Sequence, residues 1–176
     1  MSHEPKPCEE LSTLLQQQPC WTEVPWGEWR IASLPLASFE YDPCRAIVLS
    51  NGDFVALSHI FPCDPPQTYL KPMLEELHKN SPAEELEHRV QAILVAGNYP
   101  EDLEECCKQY RIPVVGMFII NPQTYGDGSR DIIVLPQAQE VRIYLRSPSA
   151  QEFWGTYVVR SFRCPGESTP ERDIER

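Results

Sequence analysis

The chain has 176 residues, 41% of them hydrophobic and 23% charged, which is enough for one domain with a buried core. Its formal net charge of −11 excludes the unassisted grip on phosphate backbones that clustered Lys and Arg provide, so nucleic acid is not expected as a partner. No apolar run reaches the length of about 20 residues that a membrane-spanning helix needs, so no membrane span is expected.

Residues 1–20 are rich in Pro, Glu and Gln and read as a flexible arm, with a short helical segment available over 8–18. Trp21, Trp26 and Trp29 follow at a spacing that is neither alternating nor helical. Their indoles are expected to cap the end of a core, the alternative being a wall for a substrate. Residues 29–36 read as a strand, and Pro35 marks an edge or an irregular end.

The stretch 38–62 holds the one cysteine and the one histidine placed as reaction partners. Cys44 follows a Tyr41-Asp42-Pro43 turn and opens the apolar run Ala46-Ile47-Val48-Leu49. Asn51-Gly52-Asp53 reverses the chain, and Phe54-Val55-Ala56-Leu57-Ser58-His59-Ile60 returns. Two β-branched or aromatic runs around an Asn-Gly turn predict a hairpin. Folded that way, Cys44 at the start of one strand lies beside His59 near the end of the next. A thiol beside an imidazole can give up its proton and attack a carbonyl carbon. The competing reading is structural, since cysteine packs as a small hydrophobe and a strand-end histidine is commonly a satisfied core residue.

Pro62-Cys63-Asp64-Pro65-Pro66 predicts a rigid loop. Over 69–79, Leu70, Met73, Leu74 and Leu77 recur at helical spacing, with Glu75 four residues before Lys79 and Asn80-Ser81-Pro82 at the end. His78 and His88 sit among charges and read as solvent-facing. Residues 90–97 form a near-continuous apolar run, the pattern of a strand covered on both faces. Pro100 and the acids Glu101, Asp102, Glu104 and Glu105 open a helix over 101–110, and 114–120 is another apolar strand. Strand, helix and strand make one crossover unit. The Gly- and Asp-rich segment 121–131 is a loop without a phosphate-binding pattern. Strands are predicted over 132–135, 140–145 and 154–162, and the charged tail from 165 is expected to be flexible. The domain proper is therefore expected over 21–164.

The seven cysteines are odd in number and irregular in spacing, Cys106 and Cys107 are adjacent, and no Cys-x-x-Cys or paired histidine occurs. Free thiols in a reducing compartment are expected, with no metal and no cofactor. Met1 to Gln18 lacks the apolar core of a secretory signal, so a cytoplasmic protein is expected, with signal-free export into a host cell as the alternative.

The order of these features resembles the chemoreceptor glutamine deamidase (CheD) family and, more distantly, the deamidating toxins of the cytotoxic necrotizing factor type. The likeness runs from Gly27 to Arg146. Gly27-Glu28-Trp29 is similar to the family's first strand, and Ser38 stands six residues before Cys44, where the family has a threonine before its nucleophile. Ser58-His59-Ile60-Phe61-Pro62 is similar to the context of its catalytic histidine. The Leu-rich helix, Val95-Ala96-Gly97-Asn98, Arg111-Ile112-Pro113-Val114-Val115 and the loop Gly126 to Arg130 follow in the same order. Two features depart: Asp42-Pro43 stands where the family has Gly-Ser, and its later Gly-Gly pairs are not kept.

The resemblance implies an α+β fold, a mixed β-sheet sandwich with flanking helices. It implies a cysteine hydrolase that deamidates a protein glutamine, in chemotaxis or as an effector or toxin. Cys44 would be the nucleophile, His59 the base and Ser38 the residue that orients the base. The partner would be a protein with an accessible glutamine. Pro43 leaves oxyanion donors to come from Cys44, Arg45 or side chains. Two other readings compete. One is an inactive domain of the same fold that binds a regulatory protein through the acidic stretch from Glu75 to Glu105. The other is a thiol protease or amine-transferring enzyme using the same thioester.

Overall fold

A computed structural model describes residues 9–41, 43–80, 90–96, 101–119, 130–146 and 153–159. In chain order these form α1 (Glu9–Gln17), β1 (Thr22–Glu23), β2 (Trp29–Ala32), β3 (Leu36–Ser38), β4 (Ala46–Ser50), β5 (Val55–Ser58), α2 (Gln67–Lys79), β6 (Gln91–Ala96), α3 (Glu101–Gln109), β7 (Val114–Ile119), β8 (Arg130–Leu135), β9 (Glu140–Arg146) and β10 (Phe153–Val159). The fold is α+β: two five-stranded sheets, in the orders β1-β3-β8-β9-β10 and β2-β5-β4-β6-β7. Both are mixed, because β1 runs parallel to β3 and β6 parallel to β7. No helix among the described residues is long and apolar enough to cross a membrane.

The predicted hairpin forms at its predicted turn. Asn51 Oδ1 accepts the N–H groups of Asp53 at 3.1 Å and Phe54 at 2.7 Å, and Gly52 takes φ +97°. The reversal sets β4 against β5 with Val48 opposite Leu57 and Ser50 opposite Val55. At Ile47 the ladder opens. Ser58 Oγ accepts the Ile47 N–H at 2.9 Å and donates to the Ile47 carbonyl at 3.0 Å. Pairing resumes in the same register, with Arg45 and Ile60 exchanging backbone bonds of 2.9 and 2.8 Å.

Burial follows the strand alternation. Alternate residues of β4 and β5 (Ala46, Val48, Val55, Leu57) join Leu36, Ile132, Val134, Val141 and Ile143 in the layer between the sheets. The other set (Ile47, Leu49, Ala56) packs under Leu70, Met73 and Leu77 of α2 and Leu103, Cys106 and Cys107 of α3. β6 is buried almost throughout, as its continuous apolar run predicts.

Three local expectations need correcting. The strand predicted over 29–36 is two strands in different sheets. Pro35, which has no N–H for a ladder, sits where the chain leaves one sheet for the other, and its carbonyl accepts the Thr22 N–H of β1 at 2.9 Å. Residues 9–17 are not a flexible arm, because α1 buries Leu11 and Leu15 on the outer face of the first sheet with Ala37, Phe39, Ile133, Leu135 and Tyr144. The sequence supplies too few apolar residues for a helix to stand alone, and the tertiary contact supplies the rest. On α2, Lys79 pairs with Glu76 at 3.1 Å rather than with Glu75. His88, the Gly126 to Ser129 loop and the tail from 165 lie outside the described residues, as do Gly97 and Asn98.

Candidate active site between the sheets

Cys44 and His59 both project into the layer between the sheets. Cys44 shares the face of Ala46 and Val48 and is buried in their cluster. His59 continues the face of Val55 and Leu57, and its ring reaches across to the opposite sheet, where Nδ1 lies 2.9 Å from Ser38 Oγ. Cys44 and His59 each stand one residue from the Arg45–Ile60 bridge, on the two adjoining segments. Ser38 and His59 thus meet from the two sheets, and Cys44 is buried in the same layer, with no hydrogen bond joining its thiol to His59 Nε2.

The hydrogen bonds decide the histidine tautomer. A hydroxyl has one proton, and Ser38 Oγ donates it to the Val24 carbonyl at 2.7 Å. Ser38 therefore accepts from His59, whose Nδ1 carries the proton. Nε2 is left as the unprotonated nitrogen, and it is buried without a hydrogen-bond partner. That is the state in which an imidazole can take a proton from a neighbouring group.

His59 is held from several sides. Its backbone N–H donates to the Glu28 carbonyl at 2.9 Å, and its carbonyl accepts the Gly27 N–H at 3.0 Å. Tyr41 stacks on the imidazole, with ring centroids 3.8 Å apart and planes 10° from parallel. The opened ladder makes this possible, because the Ser58 carbonyl turns to accept the Tyr41 hydroxyl at 2.9 Å. Tyr41 is in turn anchored through its backbone: its N–H donates to the Arg130 carbonyl at 2.8 Å, and its carbonyl accepts from Arg130 Nε at 2.9 Å.

These surroundings set the charge states. Burial, with the Arg130 guanidinium acting in the same sense, pushes the His59 pKa down to about 4, so the ring is neutral near pH 7. Burial pushes the Tyr41 phenol well above its ordinary range. Cys106 and Cys107 are raised to about 11 and about 12, by burial first and by neighbouring negative charge second, which keeps them protonated and inert. Cys20 and Cys63 are exposed. Among the described residues no group of three or more His, Cys, Asp or Glu side chains is placed to hold a metal ion.

The backbone N–H of Arg45 is removed from the oxyanion donors open in the sequence, because it is committed to the Ile60 carbonyl at 2.9 Å. Its Nη1 donates to both Asp102 carboxylate oxygens at 2.6 Å and its Nη2 to the Asp64 carbonyl at 3.1 Å, while its Nε is buried without a partner. Pro43 is exposed, and Asp42 lies outside the described residues. The tryptophans are also placed differently from expectation. Trp29 is packed against the helix-side core, whereas Trp21 and Trp26 are exposed, and Trp26 stands with its ring centroid 6.2 Å from that of His59. The roles of Tyr41, Arg130 and the Val24 carbonyl escaped the sequence reading. Tyr41 stood in the turn before Cys44, and Arg130 in a Gly-rich loop. A backbone carbonyl leaves no mark in a sequence at all.

The chain matches no protein-family model, and comparison with curated proteins finds no relative.

Proposed function

We propose that the protein is a cysteine-dependent amidohydrolase that deamidates a glutamine of another protein. The observation that carries this reading is the Val24–Ser38–His59 chain of hydrogen bonds, which leaves Nε2 unprotonated in the layer that also holds Cys44. Cys44 is the nucleophile, His59 the base, and Ser38 the residue that fixes its tautomer.

Because the resting imidazole is neutral, proton transfer accompanies attack and no standing thiolate–imidazolium pair precedes it. The Cys44 sulfur bonds to the amide carbon as its proton passes to Nε2. Nε2 returns that proton to the nitrogen as the C–N bond breaks, giving a thioester and ammonia. Water, losing a proton to the same Nε2, then attacks the thioester. The C–S bond breaks, glutamate leaves, and the proton returns to Cys44.

The test uses iodoacetamide, whose primary amide resembles the substrate group, and a glutamine-rich protein such as casein. Cys44 should be alkylated at pH 7 ahead of exposed Cys20 and Cys63, and His59→Ala should remove that lead. Casein should release ammonia and gain about 1 Da per event with its backbone intact, and Cys44→Ala should abolish both changes. Alkylation of Cys20 and Cys63 first, with equal ammonia from Cys44→Ala, sinks the reading. The commitment of the Arg45 N–H favours one competitor, a binding domain of the same fold. That reading predicts no loss on Cys44→Ala and loss of partner capture when the acids of α3 are reversed.

A further inference from the structure

Two large aromatic side chains stand exposed beside His59 and the turn bonded to its backbone. Trp26 is 54% exposed and Phe61 37% exposed. Neither is loose. Trp26 Nε1 donates to the Phe39 carbonyl at 3.2 Å, and its ring is tilted by 46° to that of His59. Phe61 follows directly on the Arg45–Ile60 bridge, as Cys44 directly precedes it, and its ring sits on Gly27, where a Cβ would come within 2.6 Å of it. Gly27 in turn donates its N–H to the His59 carbonyl. The turn 25–28 therefore ties both rings to the backbone of His59.

Each ring leaves apolar surface in water, so an ordered, exposed pair beside the proposed reactive centre calls for an occupant. The site dictates its shape. Cys44 is only 6% exposed and His59 is sealed, so a group that reaches the sulfur must be slender. The molecule carrying that group stays outside, over Trp26 and Phe61.

Resting on the amidohydrolase reading, we infer that Trp26 and Phe61 grip the polypeptide beside its reactive glutamine and select an apolar or aromatic neighbour to that residue. The indole and phenyl faces provide rigid contact area at little cost in rotamer freedom, as aromatic anchors do in other interfaces. The glutamine side chain enters between them toward Cys44.

The test compares two probes on the full chain: benzyloxycarbonyl-Gln-Gly, with an aromatic ring beside the glutamine, and acetyl-glutamine amide, without one. Binding is read by NMR on Cys44→Ala protein, and turnover as ammonia release from the unsubstituted protein. The aromatic probe should bind about tenfold tighter. Trp26→Ala and Phe61→Ala should each erase most of that preference, and Trp26→Phe should keep it, which separates a contact from a folding defect. An unchanged preference in both alanine variants overturns the inference, as does equal weakening of both probes or no binding of either. Binding with the predicted preference but no ammonia keeps the grip and overturns the amidohydrolase reading instead. Sedimentation that shows a dimer broken by Trp26→Ala assigns the aromatic face to a second copy of the chain, and the inference falls.

Discussion

Ser38 does two jobs with one oxygen: it hands its proton to Val24 and takes one from His59. Ser38→Ala removes both bonds and strands a buried N–H and a buried carbonyl, each costing about 1–3 kcal/mol. Urea denaturation should show that loss, ammonia release should fall by about tenfold or more, and Ser38→Thr should recover both. His59 adds a pH signature. Its pKa falls from 6.5 in a free chain to about 4 in the fold, so between those values the unfolded chain binds a proton that the folded chain refuses. Stability is therefore full above pH 6.5, declines as the pH drops toward 4 and loses nothing further from this group below that. At about 1.4 kcal/mol per pH unit the loss reaches about 3 kcal/mol. His59→Phe should remove this component from a pH series of denaturation curves. For the same reason the acid limb of the activity profile should centre near pH 4, and a limb near 6.5 would show that His59 is not the base in this environment.

The hairpin and the turn before β2 are the elements that position the site. Gly27 in that turn has φ +71° and lies against Phe61, so a side chain there meets both backbone strain and a clash. Gly27→Ala should destabilise the fold by about 1–3 kcal/mol. Adding Phe61→Ala should return only the part due to the clash, since the positive φ remains, and a double-mutant cycle on denaturation midpoints measures the split. The hairpin was legible because its instructions are local. Asn51 and Gly52 make the reversal, and the apolar runs on either side set the register that puts Cys44 and His59 on one face. The face of α2 was equally legible, because Leu70, Met73, Leu74 and Leu77 are buried at the spacing they show in the sequence. Ser58 was not. Its hydroxyl mends the ladder at Ile47 and frees its carbonyl for Tyr41, a substitution of side chain for backbone that no periodicity announces.

At the scale of the molecule, the two sheets close over one layer and carry helices on their outer faces. The first sheet depends on α1 for its cover. Leu11 is fully buried there, so Leu11→Ala should cost about 2–5 kcal/mol, measured by thermal or urea unfolding. A cost near zero would restore the loose arm that composition alone predicts. Arg45 works at the same scale: just before β4, next to Cys44 in the chain, it clamps Asp102 in the first turn of α3 and the loop carbonyl of Asp64. Its committed N–H narrows the sources of oxyanion stabilisation in a way the sequence left open.

The sequence by itself determined the Asn51-Gly52 reversal, the pairing that puts a thiol and an imidazole on one face, and the apolar stripe of α2. Each of these depends on residues close together in the chain. Ser38 entered the sequence reading through the order of features that resembles a known family, not through any local rule. Only tertiary structure decided that the chain breaks at Pro35, that Ser38 meets His59 from the other sheet, and that Tyr41 stacks beneath the ring while Trp26 stands beside it. Those contacts join segments that are far apart in sequence or lie in different sheets, and they exist because burying the faces of both sheets forces them together.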